Sequence, residues 1–380
     1  MNFTDNPVYV LTILSLTIVL GVYMAKTQFG KKFSAALIII LLTAVLANLR
    51  LIPSASNSID LYKIIFKYIA PISIFYLLLN INLTSIKQAG FPMVGLFLIG
   101  SLATTAGILL SWLVLSPQNV LGEDGKVIAG MLTGTYTGGS LNFNAVALEY
   151  DFQEKGILYA GTIAVDNVIT TLWIIITLTL PALLSLIWKS KKKSKVKNVT
   201  SNATYEKKEC VNFNSLIWLI FLGFTAYFVS DIISKFLTQI PSILILSTIG
   251  IALAQTKFIS TKKGSRQLGL YLVYLFCAVI GAYCELSAVS ELKEIGIILF
   301  QFTSLAVLLH GVTITLIGGF LYSDWEMIAI VSQANIGGAS TAIALAETFN
   351  RKELILPSIL VGTLGNALGS YLGFFVVHLL

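Results

Sequence analysis

The stretch GMLTGTYTGGSLNFNAVALEY, Gly130 to Tyr150, decides how this chain is read. Lys126 precedes it and Asp151 follows it, and its 21 residues match the length of a membrane span. Its centre is unlike an ordinary span. Thr133, Gly134, Thr135, Tyr136, Thr137, Gly138, Gly139, Ser140, Asn142 and Asn144 crowd together there. Adjacent glycines among hydroxyls and amides break a helix and free backbone polar groups. At membrane depth such groups persist only where protein or a water-filled cavity satisfies them. A second stretch, Met327 to Glu347 (MIAIVSQANIGGASTAIALAE), repeats this character with Ser332, Gln333, Asn335, Gly337, Gly338, Ser340 and Thr341. Paired, interrupted apolar segments in the two halves of a chain mark the binding site of a secondary transporter.

Composition sets the frame. Hydrophobic residues make up 56% and charged residues 11%, with mean hydropathy +0.86. These values exclude an ordinary soluble domain and point to a multi-pass membrane protein. The net charge of +7 sits in short loops and one linker, so it reports topology and contact with anionic lipid. Nothing resembles a nucleic-acid module. Cys210, Cys277 and Cys284 have neither disulfide-framework nor metal-cage spacing, and Cys277 and Cys284 read as core or lipid-facing residues. Asp5 precedes the first apolar run, which reads as a retained span and not as a cleaved leader.

Along the chain, apolar runs at 6–25, 33–49, 68–86, 91–115, 127–148 and 156–188 precede a basic polar stretch, KSKKKSKVKNVTSNATYEKKEC. Six more follow, at 211–230, 236–256, 267–284, 295–323, 327–346 and 354–380. The expected organisation is an N-terminal repeat over 1–188, a cytoplasmic linker over 189–213 and a C-terminal repeat over 214–380. The halves share a register. At an offset of 199, Gly138 and Gly139 fall on Gly337 and Gly338, Thr133 on Ser332, and Asn167 on Asn366.

Charge orients the repeats. With the two Gly-Gly segments re-entrant, ten crossings and an external N-terminus, eighteen of the 25 basic residues lie inside. These include Lys26, Lys31, Lys32, Lys87, the linker lysines, Lys257, Lys262, Lys263, Arg266, Arg351 and Lys352. The acidic loops with Glu123, Asp124, Glu149, Asp151, Glu154, Glu285, Glu291 and Glu294 lie outside. Five crossings per half reverse the second half against the first. The expected fold is an all-α polytopic membrane protein of two inverted repeats of about five transmembrane helices. Each repeat carries a Gly-Gly re-entrant or broken helix.

Ionisable residues inside spans are costly and mark function. Asp166, in GTIAVDNVITTLW, is the one acid deep in a long apolar run. Such a carboxylate carries a proton or ligates sodium beside hydroxyl and carbonyl oxygens; the blander account is a structural hydrogen bond to a neighbouring helix. Its counterpart at the 199 offset is Gly365, so the acid is not duplicated. His310, the one histidine well inside a span, reads first as a hydrogen-bonded packing residue. Pro71 and Pro181 read as helix kinks. GSLATTAG over 100–107 reads as close packing.

At these residues a resemblance appears. TGTYTGGSLNFNAVA with the following AVDN helix, and SQANIGGASTAIALAE, resemble a YjcL-type integral membrane family of unknown function, over nearly the whole chain. That family is grouped with the cation–proton antiporter and anion transporter superfamily, which includes glutamate–sodium, sodium–citrate and bile-acid symporters. The resemblance implies that Thr137 to Asn144 and Asn335 to Thr341 build substrate and sodium sites. Asp166-Asn167 is similar, in reversed order, to the Asn-Asp pair of sodium–proton antiporters.

The function expected is secondary active transport: sodium- or proton-coupled symport of a small anionic or zwitterionic solute by alternating access, in a cell membrane. The candidate binding residues are Thr135, Thr137, Gly138, Gly139, Ser140, Asn142, Asn144, Asp166, Asn167, Gln333, Asn335, Gly337, Gly338, Ser340, Thr341 and Asn366. Sodium is expected at Asp166, Asn167 and Thr137. No cofactor is expected beyond the coupling ion, Na+ or H+. The partners expected are a solute, that ion, membrane lipid and a second copy of the chain as a homodimer, with no nucleic acid. The alternative is a sodium–proton antiporter without an organic substrate. A distant third is an intramembrane enzyme, disfavoured because an aspartyl protease needs two deep aspartates and Ser140 lacks a rhomboid-type turn.

Overall fold

The computed structural model describes residues 4, 6–27, 35–188, 212–237, 240–284 and 292–380. The linker, Cys210, Lys31, Lys32, Glu285 and Glu291 lie outside the described residues, as does the side chain of Glu294. The described residues fold as an all-α polytopic membrane protein. In the first half the principal helices are α1 (Pro7–Ala25), α2 (Ala35–Asn48), α3 (Asp60–Leu78), α4 (Phe91–Leu115), α5 (Asp124–Gly138), α6 (Ser140–Glu149) and α7 (Gly156–Ile187). In the second they are α8 (Phe213–Phe236), α9 (Ser242–Ala254), α10 (Ser265–Ala282), α11 (Leu292–Leu321), α12 (Trp325–Ile336), α13 (Gly338–Thr348) and α14 (Ile355–Leu379). Among the described residues eight helices are long and apolar enough to cross a membrane, and α2 and α9 are shorter apolar helices. Their outer faces are apolar, as at Leu113 (74% exposed), Phe224 (58%) and Phe320 (71%). A hydrocarbon solvent covers such faces at no cost.

Each Gly-Gly segment folds back on itself. Gly139 has φ +97° and Gly338 φ +79°, left-handed values that L side chains rarely adopt. In a continuous helix, residues eight apart stand about 12 Å apart. Here a Cβ added at Gly134 would lie 3.1 Å from the Asn142 Cβ, and the Gln333 Nε2 donates to the Thr341 Oγ1 at 3.2 Å. Both pairs span a glycine break, and they correspond at the 199 offset. The same offset relates the left-handed residues that follow each hairpin, Asp151 (φ 50°) and Asn350 (φ 54°). α5–α6 and α12–α13 are therefore helical hairpins.

The hairpins enter from opposite ends. Lys155, just before α7, pairs with Asp124 at the base of the first hairpin. Trp188, just after α7, accepts a hydrogen bond from the Trp325 Nε1 at the base of the second, at 3.1 Å. Thirty-two residues of α7 separate the bases by about 48 Å, so the glycine tips point toward each other.

Two bodies result. α1, α2, α3, α8, α9 and α10 pack among themselves as a scaffold; α4, α7, α11, α14 and the hairpins form a core, with helices of both halves interleaved. In α3 the expected disturbance near Pro71 takes the form of a π-helical turn, Ile65–Ile69, immediately before the proline. Proline lacks the N–H that would close the preceding turn, and the wider turn absorbs this.

The tightest seam joins α5 to α14. Gly130, Gly134 and Gly138 face Gly373, Gly369 and Gly365 in antiparallel order. Each set recurs every fourth residue and so leaves one bare stripe along its helix. A Cβ added at Gly373 would lie 2.7 Å from the Gly130 carbonyl oxygen, and one at Gly369 2.7 Å from that of Gly134; Gly138 and Gly365 approach closer still. Asn142 closes the seam. Its Oδ1 accepts from the Ser370 N–H at 3.0 Å and the Ser370 hydroxyl at 2.8 Å.

A charge clasp fixes the second hairpin's base. Arg351, 2% exposed, donates to both carboxylate oxygens of Asp324 at 2.8 and 2.9 Å, to Glu326 at 2.9 Å and to Glu353 at 2.5 Å.

Two stability predictions follow from these contacts. Gly138→Ala and Gly369→Ala force backbones apart and should each cost about 1–3 kcal/mol or more, read as a lowered thermal midpoint of the purified protein. Gly296→Ala, where the added Cβ meets nothing within 4 Å, should leave that midpoint unchanged. Arg351→Met strands the buried Asp324 carboxylate and should cost about 3–5 kcal/mol. Adding Asp324→Asn should recover part of the loss, measured in the same assay.

Candidate functional site

The hairpin tips face a cavity of about 580 Å³ between core and scaffold. Of the sequence-derived candidates, Thr135, Gly138, Gly139, Ser140, Asn144, Asp166, Asn167, Gly337, Gly338, Ser340 and Asn366 line it. Both glycine breaks, the lone deep acid and both members of the Asn167/Asn366 pair thus share one space. Thr137, Asn142, Gln333, Asn335 and Thr341 do not line it.

Four of these five do structural work. Asn142 seals the glycine seam. The Gln333 Oε1 accepts from the Thr177 hydroxyl at 3.2 Å, tying the second hairpin to α7. Asn335 donates to the Ser101 hydroxyl at 3.0 Å and the Phe97 carbonyl at 3.3 Å, tying it to α4. Thr341 bridges the two arms of its own hairpin. Thr137 is fully buried and its hydroxyl has no hydrogen-bond partner among the described residues.

Asp166 projects from α7 into the cavity. The Thr170 hydroxyl, one turn on, donates to its Oδ1 at 3.5 Å, and the buried Tyr136 hydroxyl lies within its electrostatic reach. No described cation pairs with it. A carboxylate with no described cation beside it is costly at membrane depth. Oxygens suited to a hard cation line the same cavity, at Asn167, Thr170 and Thr135. Thr137, expected as a sodium ligand, does not line the cavity; at the end of α5, Thr135, Gly138 and Gly139 do. Among the described residues no cluster of three or more His, Cys, Asp or Glu could hold a metal ion.

The two helices that begin at the breaks aim their N-termini at the cavity. α6 starts at Ser140 and α13 at Gly338, and both residues are in the lining. Free N–H groups and the aligned peptide dipoles make these ends electropositive.

Gly365 occupies the position that Asp166 holds in the other half. An added Cβ there would lie 2.8 Å from the Gly138 Cα, so no carboxylate fits. The first hairpin sits flush on α14 there, whereas Asp166 on α7 lines the cavity between core and scaffold.

One wall comes from the scaffold. Arg266, Leu270, Val273, Tyr274 and Cys277 present one face of α10. Cys277 is buried in the core, as the sequence reading had it, and touches the cavity from there; Arg266 corrects the sequence reading, which placed it in a loop. Arg266 begins a helix and stands exposed at the cavity rim. The helical spacing of these five positions was the available signal.

His310 belongs to a closed network outside the cavity. The Gly100 carbonyl accepts from Nδ1 at 3.0 Å, which places the ring proton there. The Ser332 hydroxyl then donates to Nε2 at 3.0 Å and accepts from the Trp173 Nε1 at 3.1 Å. Both ring nitrogens are engaged, as expected of a packing histidine.

At the opposite end a second fissure of about 430 Å³ separates the bodies, with scaffold Lys63 and Lys67 facing Asp151 and Glu154. Beside it Glu149, the last residue of the first hairpin, accepts from the Ile243 N–H at 3.4 Å and so caps α9. Burial raises the Glu149 carboxyl above its ordinary range, against the lowering effect of hydrogen bonds from Ile243 and Ser242.

Comparison with known proteins places this architecture. Over about nine-tenths of each chain (92% and 91%), the sequence is 28% identical to the uncharacterized membrane protein YjcL of Bacillus subtilis (strain 168). A family described as a protein of unknown function, DUF819, matches residues 10–380. With that match spanning nearly its whole length, this chain belongs to the DUF819 family.

Proposed function

We propose that the protein is a secondary active transporter that couples a small anionic or zwitterionic solute to sodium or protons by alternating access. The observation that carries this reading is the meeting of both glycine breaks and Asp166 in one cavity between two bodies. The opposed hairpins fit two inverted repeats, each contributing one broken helix to a shared midplane site. In this reading Asp166 takes the coupling cation, with Asn167 and hydroxyl oxygens as co-ligands. The electropositive ends at Ser140 and Gly338 receive the solute's anionic group. The cavity opens at the Arg266 end, which is cytoplasmic in this topology, as is the linker. Glu149 on the α9 N-terminus closes the other end. In this reading the membrane is the cell membrane and the activity is transport without a covalent step.

The absence of a cation paired with Asp166 among the described residues also suits a sodium–proton antiporter without organic substrate. Proton release on adding sodium, with no solute present, would select that reading.

Thermal unfolding in sodium against potassium tests the coupling ion. A ligand bound only by the native state adds about 2.7 kcal/mol at a hundredfold excess over its Kd. Wild type should show a sodium-specific rise, and Asp166→Asn should abolish it. A rise surviving in the variant removes Asp166 from the sodium site; no rise in wild type excludes sodium coupling and leaves protons.

A further inference from the structure

The Arg266 end of the scaffold carries a feature that transport does not require. Three segments are stitched together there. The Gln255 side chain accepts from the Leu83 N–H at 2.9 Å and donates to the Ile81 carbonyl at 3.0 Å. The Ser265 hydroxyl donates to Asn80 at 3.2 Å. Residues 79–90, 212–218 and 255–266 contribute Lys87, Lys257, Lys262, Lys263 and Arg266 and not one Asp or Glu. Beside them lies an aromatic shelf. Trp218 and Phe258 meet edge to face at 5.2 Å, and the Lys262 ammonium sits 4.6 Å from the Phe258 ring centre and 5.7 Å from that of Trp218. Trp218 is 40% exposed, Phe258 44% and Phe221 56%. From this shelf the outward face of α8 runs on as Phe221, Phe224 and Phe228, all exposed.

We propose that this corner is a binding site for an anionic phospholipid. The headgroup phosphate would sit among Lys257, Lys262 and Lys263, with Trp218 and Phe258 at headgroup level and the acyl chains along Phe221 and beyond. The shelf holds the Lys262 ammonium in place, so less side-chain freedom is lost when phosphate binds. Juxtamembrane lysines attract acidic headgroups, and tryptophan settles at the interface. A second copy of this chain is the poorer occupant, because two such corners would bring like charges together without a carboxylate between them.

Native mass spectrometry of the detergent-released protein tests this with phosphatidylglycerol and phosphatidylcholine of identical chains, supplied together. Wild type should retain phosphatidylglycerol preferentially. Lys257→Gln/Lys262→Gln/Lys263→Gln should reduce that preference at least about tenfold, and the single Lys262→Gln should reduce it less. Lys63→Gln/Lys67→Gln, at the other end, should leave it intact, and inorganic phosphate should not compete. Equal retention of both lipids by wild type, or an undiminished preference in the triple variant, overturns the proposal. So does a protein dimer that the triple variant dissociates while lipid retention holds.

Discussion

Backbone-to-backbone contact between α5 and α14 is the constraint on which this architecture rests. In a bilayer, apolar side chains gain little by leaving lipid for protein, so close packing and hydrogen bonds must hold helices together. Three glycines on each helix remove the side-chain layer altogether. The first hairpin is thereby pressed against α14, and its return arm contributes Asn142 to fix the register. The position of the first tip, and so of one wall of the cavity, follows from that seam.

The second hairpin is held by different means. Ser332, Gln333 and Asn335 reach three separate helices through His310 and Trp173, Thr177, and Ser101. Arg351 then closes its base with three carboxylates. One hairpin is therefore fixed by the absence of side chains and the other by a polar network. The tips of both hairpins reach the cavity between core and scaffold. The asymmetry between Asp166 and Gly365 follows the packing: a carboxylate stands at the cavity, and glycine where helices touch.

Much of this was legible in the sequence. The breaks at Gly139 and Gly338 could be read because two glycines among polar residues at membrane depth admit few other structures. Asp166 could be read because a charge so far from either interface has few reasons to exist. The hairpin geometry followed from charge counting and parity. The roles of individual amides were harder to read. Gln333 and Asn335 look like ligands by residue type, yet the register of α12 turns them into helix–helix contacts, and Thr137 is turned away in the same manner. Arg266 was hidden among lysines that read as loop charge. The partner of the Gly130 stripe lies more than two hundred residues away, and nothing local to either stripe names the other.

The contrast between the two hairpins bears on how each holds its place. A glycine seam has one good fit; sliding by a single residue sets carbonyls against Cα atoms and admits no intermediate. Hydroxyl and amide bonds fix a register by partner and direction instead, and a satisfied buried network also rigidifies. The first hairpin and α14 are therefore joined as one packed unit through their backbones, while the second hairpin is tied to α4, α7 and α11 through its side chains. Asp166 lines one cavity with both hairpin tips, so its surroundings are set by two interfaces built in different ways.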